Sequence, residues 1–334
     1  MQEMVTRPYA RAFEAYAAAD PDIICVSADL TSSCEIDGFR DRHPEQFVSL
    51  GMAEQNMLSF VGGMGLGGFR PFVHTFGVFL YRRPHDQLIA SIAYPSRHVR
   101  LMGFLPGITT PGGMTHQAIE DIAVMRATPN MTVIEAGDAT EVEALPGIAD
   151  TVDGPVYARV LRGQVPRLFA APPRLGEMRL LAEGTDVLIV TAGITTEEAL
   201  RAAPALEAAG VSVRHLHVFT HKPLAAEAIL DHVAAVRRGV VVLENHVTEG
   251  GLGSAVAEAM AGAGAGKPLI RLGLQDTYAH GGSRPYLMGY YGLDAPALVA
   301  GVERLTGQSL GIGADDLSQV RVDAVHSTAK AEAL

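Results

Sequence analysis

Short apolar runs alternate with helical stretches along most of this chain, and that alternation constrains the fold more than any other feature. Residues 22–27, 47–50, 70–76, 99–102, 131–134 and 156–161 read as buried strands, and so do 186–193, 211–218, 239–244 and 269–272. Between them lie helical stretches at 8–19, 78–94, 116–126 and 140–151, then at 195–209, 225–237 and 253–263, with a short polar helix or turn at 39–44. Near-continuous apolar strands joined through helices require a mainly parallel sheet covered on both faces. The fold class is therefore α/β, with doubly wound sheets.

At 334 residues the chain has room for about two domains. A Pro-rich stretch with Pro166, Pro172 and Pro173 lacks periodicity and reads as a linker with a lead-in strand. The expected division is a first domain at 1–165, a linker at 166–184, a second domain at 185–312 and a tail at 313–334. The Ala-rich polar tail fits either a helix or disorder. Thr195 and Glu198 have the spacing of a capping box, and Gly210 closes that helix.

A net charge of −11 argues against a nucleic-acid partner and against an anionic membrane surface. No apolar run approaches the roughly 20 residues that cross a bilayer. Two cysteines, Cys25 and Cys34, supply neither a disulfide framework nor a zinc spacing, so a reducing cytoplasm is the expected compartment. The N-terminus shows no apolar targeting segment. Small molecules are the expected ligands.

The stretch Gly51-Met-Ala-Glu-Gln-Asn-Met57 places Glu54 at a strand-to-helix junction. The helix that follows is apolar, rich in small residues and stopped by Gly67-Gly68, which predicts burial. A Glu at its start either complements the helix dipole or serves proton chemistry. Open α/β sheets bind ligands beyond the carboxyl ends of their strands. Here those ends carry Asp29 to Ser33, Glu54, His74 to Phe79, a Gly/Pro loop at 103–115 leading to His116, and Arg159 to Arg162. In the second half, Gly250-Gly-Leu-Gly253 follows a strand but lacks both the dinucleotide fingerprint and the Lys-Ser/Thr of a P-loop. It reads as a tight turn or subunit contact more than as a phosphate loop.

Five segments, in order, resemble the pyrimidine-binding domain of transketolases. They are Gly51–Met57, Arg70-Pro-Phe-Val-His-Thr-Phe-Gly-Val-Phe79, Arg83-Pro-His-Asp-Gln87, Thr115-His-Gln-Ala-Ile-Glu-Asp121 and Arg126-Ala-Thr-Pro-Asn130. Val218-Phe-Thr-His-Lys-Pro-Leu224 and Glu244-Asn-His, followed by Gly250-Gly-Leu-Gly253, resemble the transketolase C-terminal domain. The resemblance spans about residues 8–308. It implies a thiamine diphosphate enzyme that moves a two-carbon ketol unit from a ketose to an aldose.

The resemblance implies a role for each matching residue. Glu54 would hydrogen-bond a ring nitrogen of the cofactor pyrimidine and drive it to its imino tautomer. Phe76, with Phe79 beside it, would stack on that ring. His116 would donate a hydrogen bond or proton to the reacting sugar. Asp29 would lie near the cofactor, and Arg83 would serve the site or a subunit interface. Ser33 and Arg162, with Arg159 close by, fall where the family holds a substrate phosphate, a task suited to the planar fork of Arg.

The family's diphosphate half carries Gly-Asp-Gly and a later Asn that hold a divalent metal such as Mg²⁺, and this chain has no Gly-Asp-Gly; Gly137-Asp-Ala139 comes nearest. The implied partner is a separate N-terminal subunit, joined in an α2β2 heterotetramer with the cofactor between unlike chains. The stretch Ile108-Thr-Thr-Pro-Gly-Gly-Met-Thr-His116 also lacks the acid with which ordinary transketolases read a donor hydroxyl. An upstream phosphate-binding His of the family is replaced by Gly103 or Phe104, while Tyr81, Arg82 and His85 stand at family-variable positions. The usual pentose specificity is thereby put in question, and a branched or sulfonated ketose enters consideration. Two other readings are the β subunit of a 2-oxo acid dehydrogenase first component and a non-catalytic scaffold. Asn56-Met57 speaks against the first, and the retained Glu54, Phe76 and His116 against the second.

Overall fold

The computed structural model describes residues 3–317. In chain order the first half runs β1 (Met4–Thr6), α1 (Pro8–Ala17), β2 (Ile23–Ser27), α2 (Asp37–Arg42), β3 (Phe47–Ser49), α3 (Glu54–Leu66), β4 (Arg70–Phe76), α4 (Gly77–Tyr81) and α5 (His85–Gln87). It continues through β5 (Arg100–Phe104), α6 (Asp121–Ala127), β6 (Thr132–Glu135), α7 (Ala139–Asp150), β7 (Val156–Val160) and β8 (Gln164–Pro166). The second half runs β9 (Met178–Glu183), β10 (Val187–Thr191), α8 (Thr195–Ala208), β11 (Val213–Val218), β12 (Thr220–Lys222), α9 (Ala226–Ala234) and β13 (Gly239–Val247). It ends with α10 (Leu252–Gly262), β14 (Leu269–Leu274), α11 (Arg284–Tyr291) and α12 (Ala295–Thr306). The expected tail lies outside the described residues from position 318 onward.

Among the described residues, one sheet has seven strands in the order β12-β6-β7-β5-β4-β2-β3 and another has five in the order β14-β13-β10-β11-β9. Within these two sheets all pairings are parallel except those of β12 with β6 and β9 with β11, and β1 pairs antiparallel with β8 apart from them. The α/β class follows from strands such as β2, β5 and β7, which are buried along their whole length and so need cover on both faces.

Residues 156–161 do not close the first sheet. Strand β7 lies between β6 and β5, and the edge beside β6 is taken by β12, which belongs to the second half of the chain. A buried ionic cluster ties the halves together at the same place. The Arg159 guanidinium lies 2.6 Å from Asp121 and 2.9 Å from Glu135, and it donates to the carbonyls of Ala118 and Asn245. Glu135 in turn meets His221, just past the start of β12, at 2.9 Å.

The helix expected at 116–126 begins only at Asp121. The carbonyl of Ala118 already accepts the Gly107 N–H and an Arg159 N–H, so the backbone before Asp121 is committed to the loop and the core. The stretch expected as one helix at 78–94 breaks at Pro84, which has no N–H to donate, and ends in a π-helical turn at Leu88–Ala93. The Thr195 hydroxyl bonds the carbonyls of Ala192 and Leu243, and Glu198 takes the N–H of Ala295, so no capping box forms. Helices α11 and α12 extend the second half past its last strand. Their sequence signals are Pro285 and Pro296 in the first turns, Asp294 as an N-cap that accepts the Ala297 N–H, and Gly292 and Gly307 at the ends.

Helix α3 is covered on one side only. Gly62 lets it touch the π-helical turn, since a Cβ there would meet the Ser91 carbonyl at 2.6 Å. Its other side leaves Phe60 at 42% and Leu66 at 68% exposure, so the all-round burial expected from its composition is not met within one chain.

Candidate functional site

The carboxyl ends of β2, β3, β4, β5 and β7 deliver one group of side chains to one edge of the seven-stranded sheet. Strand β3 leads through Gly51, with φ +67, to Glu54 as the first residue of α3. Glu54 is 5% exposed, and Arg83 Nη1 donates to its Oε1 at 2.6 Å. The carboxylate thus stands at the N-terminus of α3, beside a guanidinium. Strand β4 ends at Phe76, and one turn later α4 presents Phe79, with ring centroids 5.8 Å apart and planes 27° apart. The Arg83 guanidinium also lies over the Phe79 ring at 4.0 Å.

His116 completes the cluster. Its ring meets Phe76 at 5.9 Å and Phe79 at 5.8 Å, edge-on to both. It packs on Gly112, where a Cβ would come within 3.0 Å of the imidazole, and its Nδ1 pairs with the Thr115 hydroxyl at 2.8 Å. Burial, and the nearby charge of Arg83, hold this imidazole below its ordinary pKa against the opposing pull of a hydrogen bond that it donates to the Gly112 backbone. The ring is therefore neutral at neutral pH and able both to donate and to accept a proton.

Arg162 flanks the aromatic pair from the other side, 5.6 Å over Phe76, and donates to the Ser33 carbonyl at 2.9 Å. Its Nε is buried without a partner, and burial pushes the guanidinium below its usual pKa. A half-buried cation with an unspent donor is a natural seat for an anion. Asp29 lies at the end of β2 at the same edge, exposed, in the left-handed region with φ +65. Arg159 is not brought to this edge. It is fully enclosed and spends its donors on Asp121, Glu135 and two backbone carbonyls.

The loop that carries His116 is held by residues that sequence reasoning did not single out. Asn245 reaches in from the second half: its Oδ1 accepts the Ile108 N–H at 2.9 Å, and its Nδ2 donates to the Pro106 carbonyl at 3.0 Å. Gly107, at φ +56, makes room for it, since a Cβ there would meet the Asn245 Oδ1 at 2.1 Å. Gln117 donates toward the carbonyls of Thr110 and His280 at 3.3 Å each. The Glu244-Asn-His segment offers a signal for Asn245, because its polar residues lie toward the carboxyl end of β13, the longest strand of the second half.

Two aromatic faces, a buried carboxylate and a neutral imidazole suit a flat nitrogen heterocycle, held by its face and by one ring nitrogen. The cleft beside Glu54, bounded by Met52, Ala53, Gln55, Asn56 and Arg83, is open to solvent. Among the described residues, no group of three or more His, Cys, Asp or Glu side chains is placed to hold a metal ion. No helix among them is long and apolar enough to cross a membrane.

Comparison with known proteins matches residues 4–167 to the transketolase pyrimidine-binding domain and residues 176–298 to the transketolase C-terminal domain. The chain belongs to the transketolase family. A transketolase family protein of Sinorhizobium fredii is 40% identical over 301 residues, covering 89% of this chain and 87% of that protein. The 6-deoxy-6-sulfo-D-fructose transketolase subunit of a Clostridium species is 38% identical, covering 87% of this chain and 91% of the subunit. A solved split gene transketolase, described as an inactive β4 tetramer, superposes with a TM-score of 0.82 at 36% identity, covering 90% of this chain and 97% of the other. The transketolase family works with thiamine diphosphate, and its pyrimidine-binding domain is the part of this chain that carries Glu54, Phe76, Phe79 and His116.

Proposed function

We propose that this chain is the C-terminal subunit of a split transketolase. With a separate N-terminal subunit, it would transfer a two-carbon ketol unit from a ketose bearing a terminal anion to an aldose acceptor. The observation that carries the reading is one run of contacts, from Glu54 through Arg83 to Phe79, with Phe76 and His116 packed on that ring. When bound, thiamine diphosphate supplies the carbon nucleophile that breaks and makes the carbon–carbon bond. Glu54 holds a proton at a pyrimidine nitrogen. Phe76 and Phe79 fix the plane of the ring. His116, neutral and half-buried, gives or takes a proton at a sugar oxygen. Arg162 and Ser33 take the terminal anion of the sugar, and Asp29 borders the cofactor.

The partner subunit would hold the diphosphate and Mg²⁺. One observation supports a partner chain: the helix that Glu54 opens, α3, leaves Phe60 and Leu66 exposed on the side its own chain does not cover. An α2β2 assembly would cover that side. For the donor, the loop at 108–116 has no acid to read a hydroxyl, and a relative is named for 6-deoxy-6-sulfo-D-fructose. A sulfonate presents three oxygens to Arg162 as a phosphate does, so ketoses ending in either group are the donors to try first. Expression in the cytoplasm is consistent with two reduced, buried cysteines.

The test is co-assembly with candidate N-terminal subunits, followed by two-carbon transfer assays with thiamine diphosphate and Mg²⁺. The panel holds ketose phosphates, a 6-sulfo-ketose and pyruvate. Ketol transfer that needs both chains and is abolished by Glu54→Ala supports the reading. Turnover of pyruvate alone overturns it in favour of 2-oxo acid chemistry.

A further inference from the structure

Arg82 stands immediately before Arg83, yet it faces the other way. Its Nε and Nη2 pair with both carboxylate oxygens of Glu120 at 2.6 and 2.7 Å, a bidentate fork. Its Nη1 donates to the Met114 carbonyl at 2.7 Å, and Nη2 also points to the Gln117 carbonyl at 3.3 Å. Met114 and Gln117 bracket Thr115 and His116. One side chain thus grips the main chain on both sides of the site imidazole while its far end is anchored at the start of α6. Tyr278 covers the guanidinium at 5.9 Å, so the grip is partly shielded from water.

This segment needs an external hold. It is not helical, it contains Gly112 and Gly113, and it places a ring between two phenylalanines. Within the loop, the backbone around His116 is fixed by the bond from the His116 N–H to the Gly113 carbonyl. Without Arg82, the Met114 and Gln117 carbonyls lose their side-chain donor, and the ring loses the constraint that keeps it edge-on to Phe76 and Phe79. Only a planar fork with several donors reaches a carboxylate and two carbonyls together; an ammonium serves one or two of them.

We infer that Arg82 is the positioning residue of the site: clamped on Glu120, it fixes the main chain either side of His116 and so sets where that imidazole meets the sugar. The inference rests on the ketol-transfer reading for its catalytic consequence, but the clamp itself has a readout that needs no activity.

The experiment uses the assembled enzyme with wild-type, Arg82→Gln and Arg82→Lys chains. Hydrogen exchange of the backbone at 108–117 is expected to quicken by about tenfold or more in Arg82→Gln while α3 stays unchanged. The same variant is expected to lose kcat by about 10- to 100-fold, with little change in thiamine diphosphate affinity. Its acid limb in kcat should move to higher pH, because a freed ring gains water and recovers toward its ordinary pKa. Arg82→Lys should restore part of both losses. Unchanged exchange at 108–117 overturns the clamp. Quickened exchange with an unchanged kcat and acid limb overturns the positioning role and leaves Arg82 a fastener of the loop alone. If the wild-type enzyme transfers no ketol unit, the functional reading fails separately, and the exchange result still decides the clamp.

Discussion

Arg83 Nη1 lies 2.6 Å from the Glu54 carboxylate while the same guanidinium covers the Phe79 ring at 4.0 Å. The one exposed cation of the cluster therefore occupies both surfaces that a pyrimidine would use, the carboxylate and an aromatic face. Arg83 keeps 51% of its side chain in solvent, so a ring entering there would have to displace only its contacts with Glu54 and Phe79.

Glu54→Gln is expected to abolish most two-carbon transfer in the assembled enzyme, by about 10²- to 10⁴-fold, as the loss of a proton-handling group does. Its melting temperature should stay within a few degrees of wild type, since the side chain sits at the sheet edge. A variant that keeps ordinary kcat would remove Glu54 from the chemistry.

Arg83→Gln removes a positive charge that works against protonation of His116. The sign is upward: the His116 pKa should rise toward its ordinary value, and the acid limb of the pH–rate profile should follow it. An NMR titration of the His116 ring in the isolated chain checks the shift without any need for turnover. A downward move would contradict the geometry.

Phe60→Asp combined with Leu66→Lys is expected to leave the chain folded by circular dichroism. Assembly with a partner chain should weaken by about 100-fold, the effect of losing central interface side chains. Sedimentation of the mixed subunits reads it, and tight assembly of the double variant would place the interface elsewhere.

The Arg159 cluster predicts how the protein responds to acid. Burial alone would push the Glu135 carboxyl up, but Arg159 and His221 outweigh it and hold the group at about 2, below its ordinary 4.5. A depressed carboxylate contributes its stability above the unfolded value and loses it as pH falls from about 4.5 through about 2. Arg159→Met leaves Glu135 and Asp121 buried without their cation, at a cost of about 3–5 kcal/mol. The loss of melting temperature should be largest near neutral pH and should shrink as the pH falls through about 4.5, where the stranded carboxylates take up protons. Substrate affinity that falls in a fully folded Arg159→Met enzyme would give this residue a place in the site after all.

What the sequence disclosed and what it hid divide along physical lines. Phe76 ends a strand of the first sheet, Glu54, Phe79, His116 and Arg162 each come after one, and the strand-end rule is enough to gather them. Arg159 also ends a strand, yet its guanidinium turns inward. That choice depends on Asp121 and Glu135, which lie 38 and 24 positions away, and nothing local to Arg159 signals it. Arg82 was hidden differently: two adjacent arginines look alike in sequence, and only the turn of α4 sends one to Glu54 and the other to Glu120. Helix α3 was misjudged because an apolar pattern states that a face will be covered, not by which chain.

Strand β12 carries one more implication, for how the molecule is made. The Glu135 N–H bonds the Phe219 carbonyl, and Thr220 and Lys222 line the β6 edge. A nascent chain that has released β1 to β8 leaves β6 as a raw flank of its sheet, and that flank stays bare until about 55 further residues have emerged (166 to 222). The first half is thus finished by the second. Recombination between relatives that cuts at the linker would deliver an edge strand shaped for a different sheet, so natural selection should transmit the two halves as one piece.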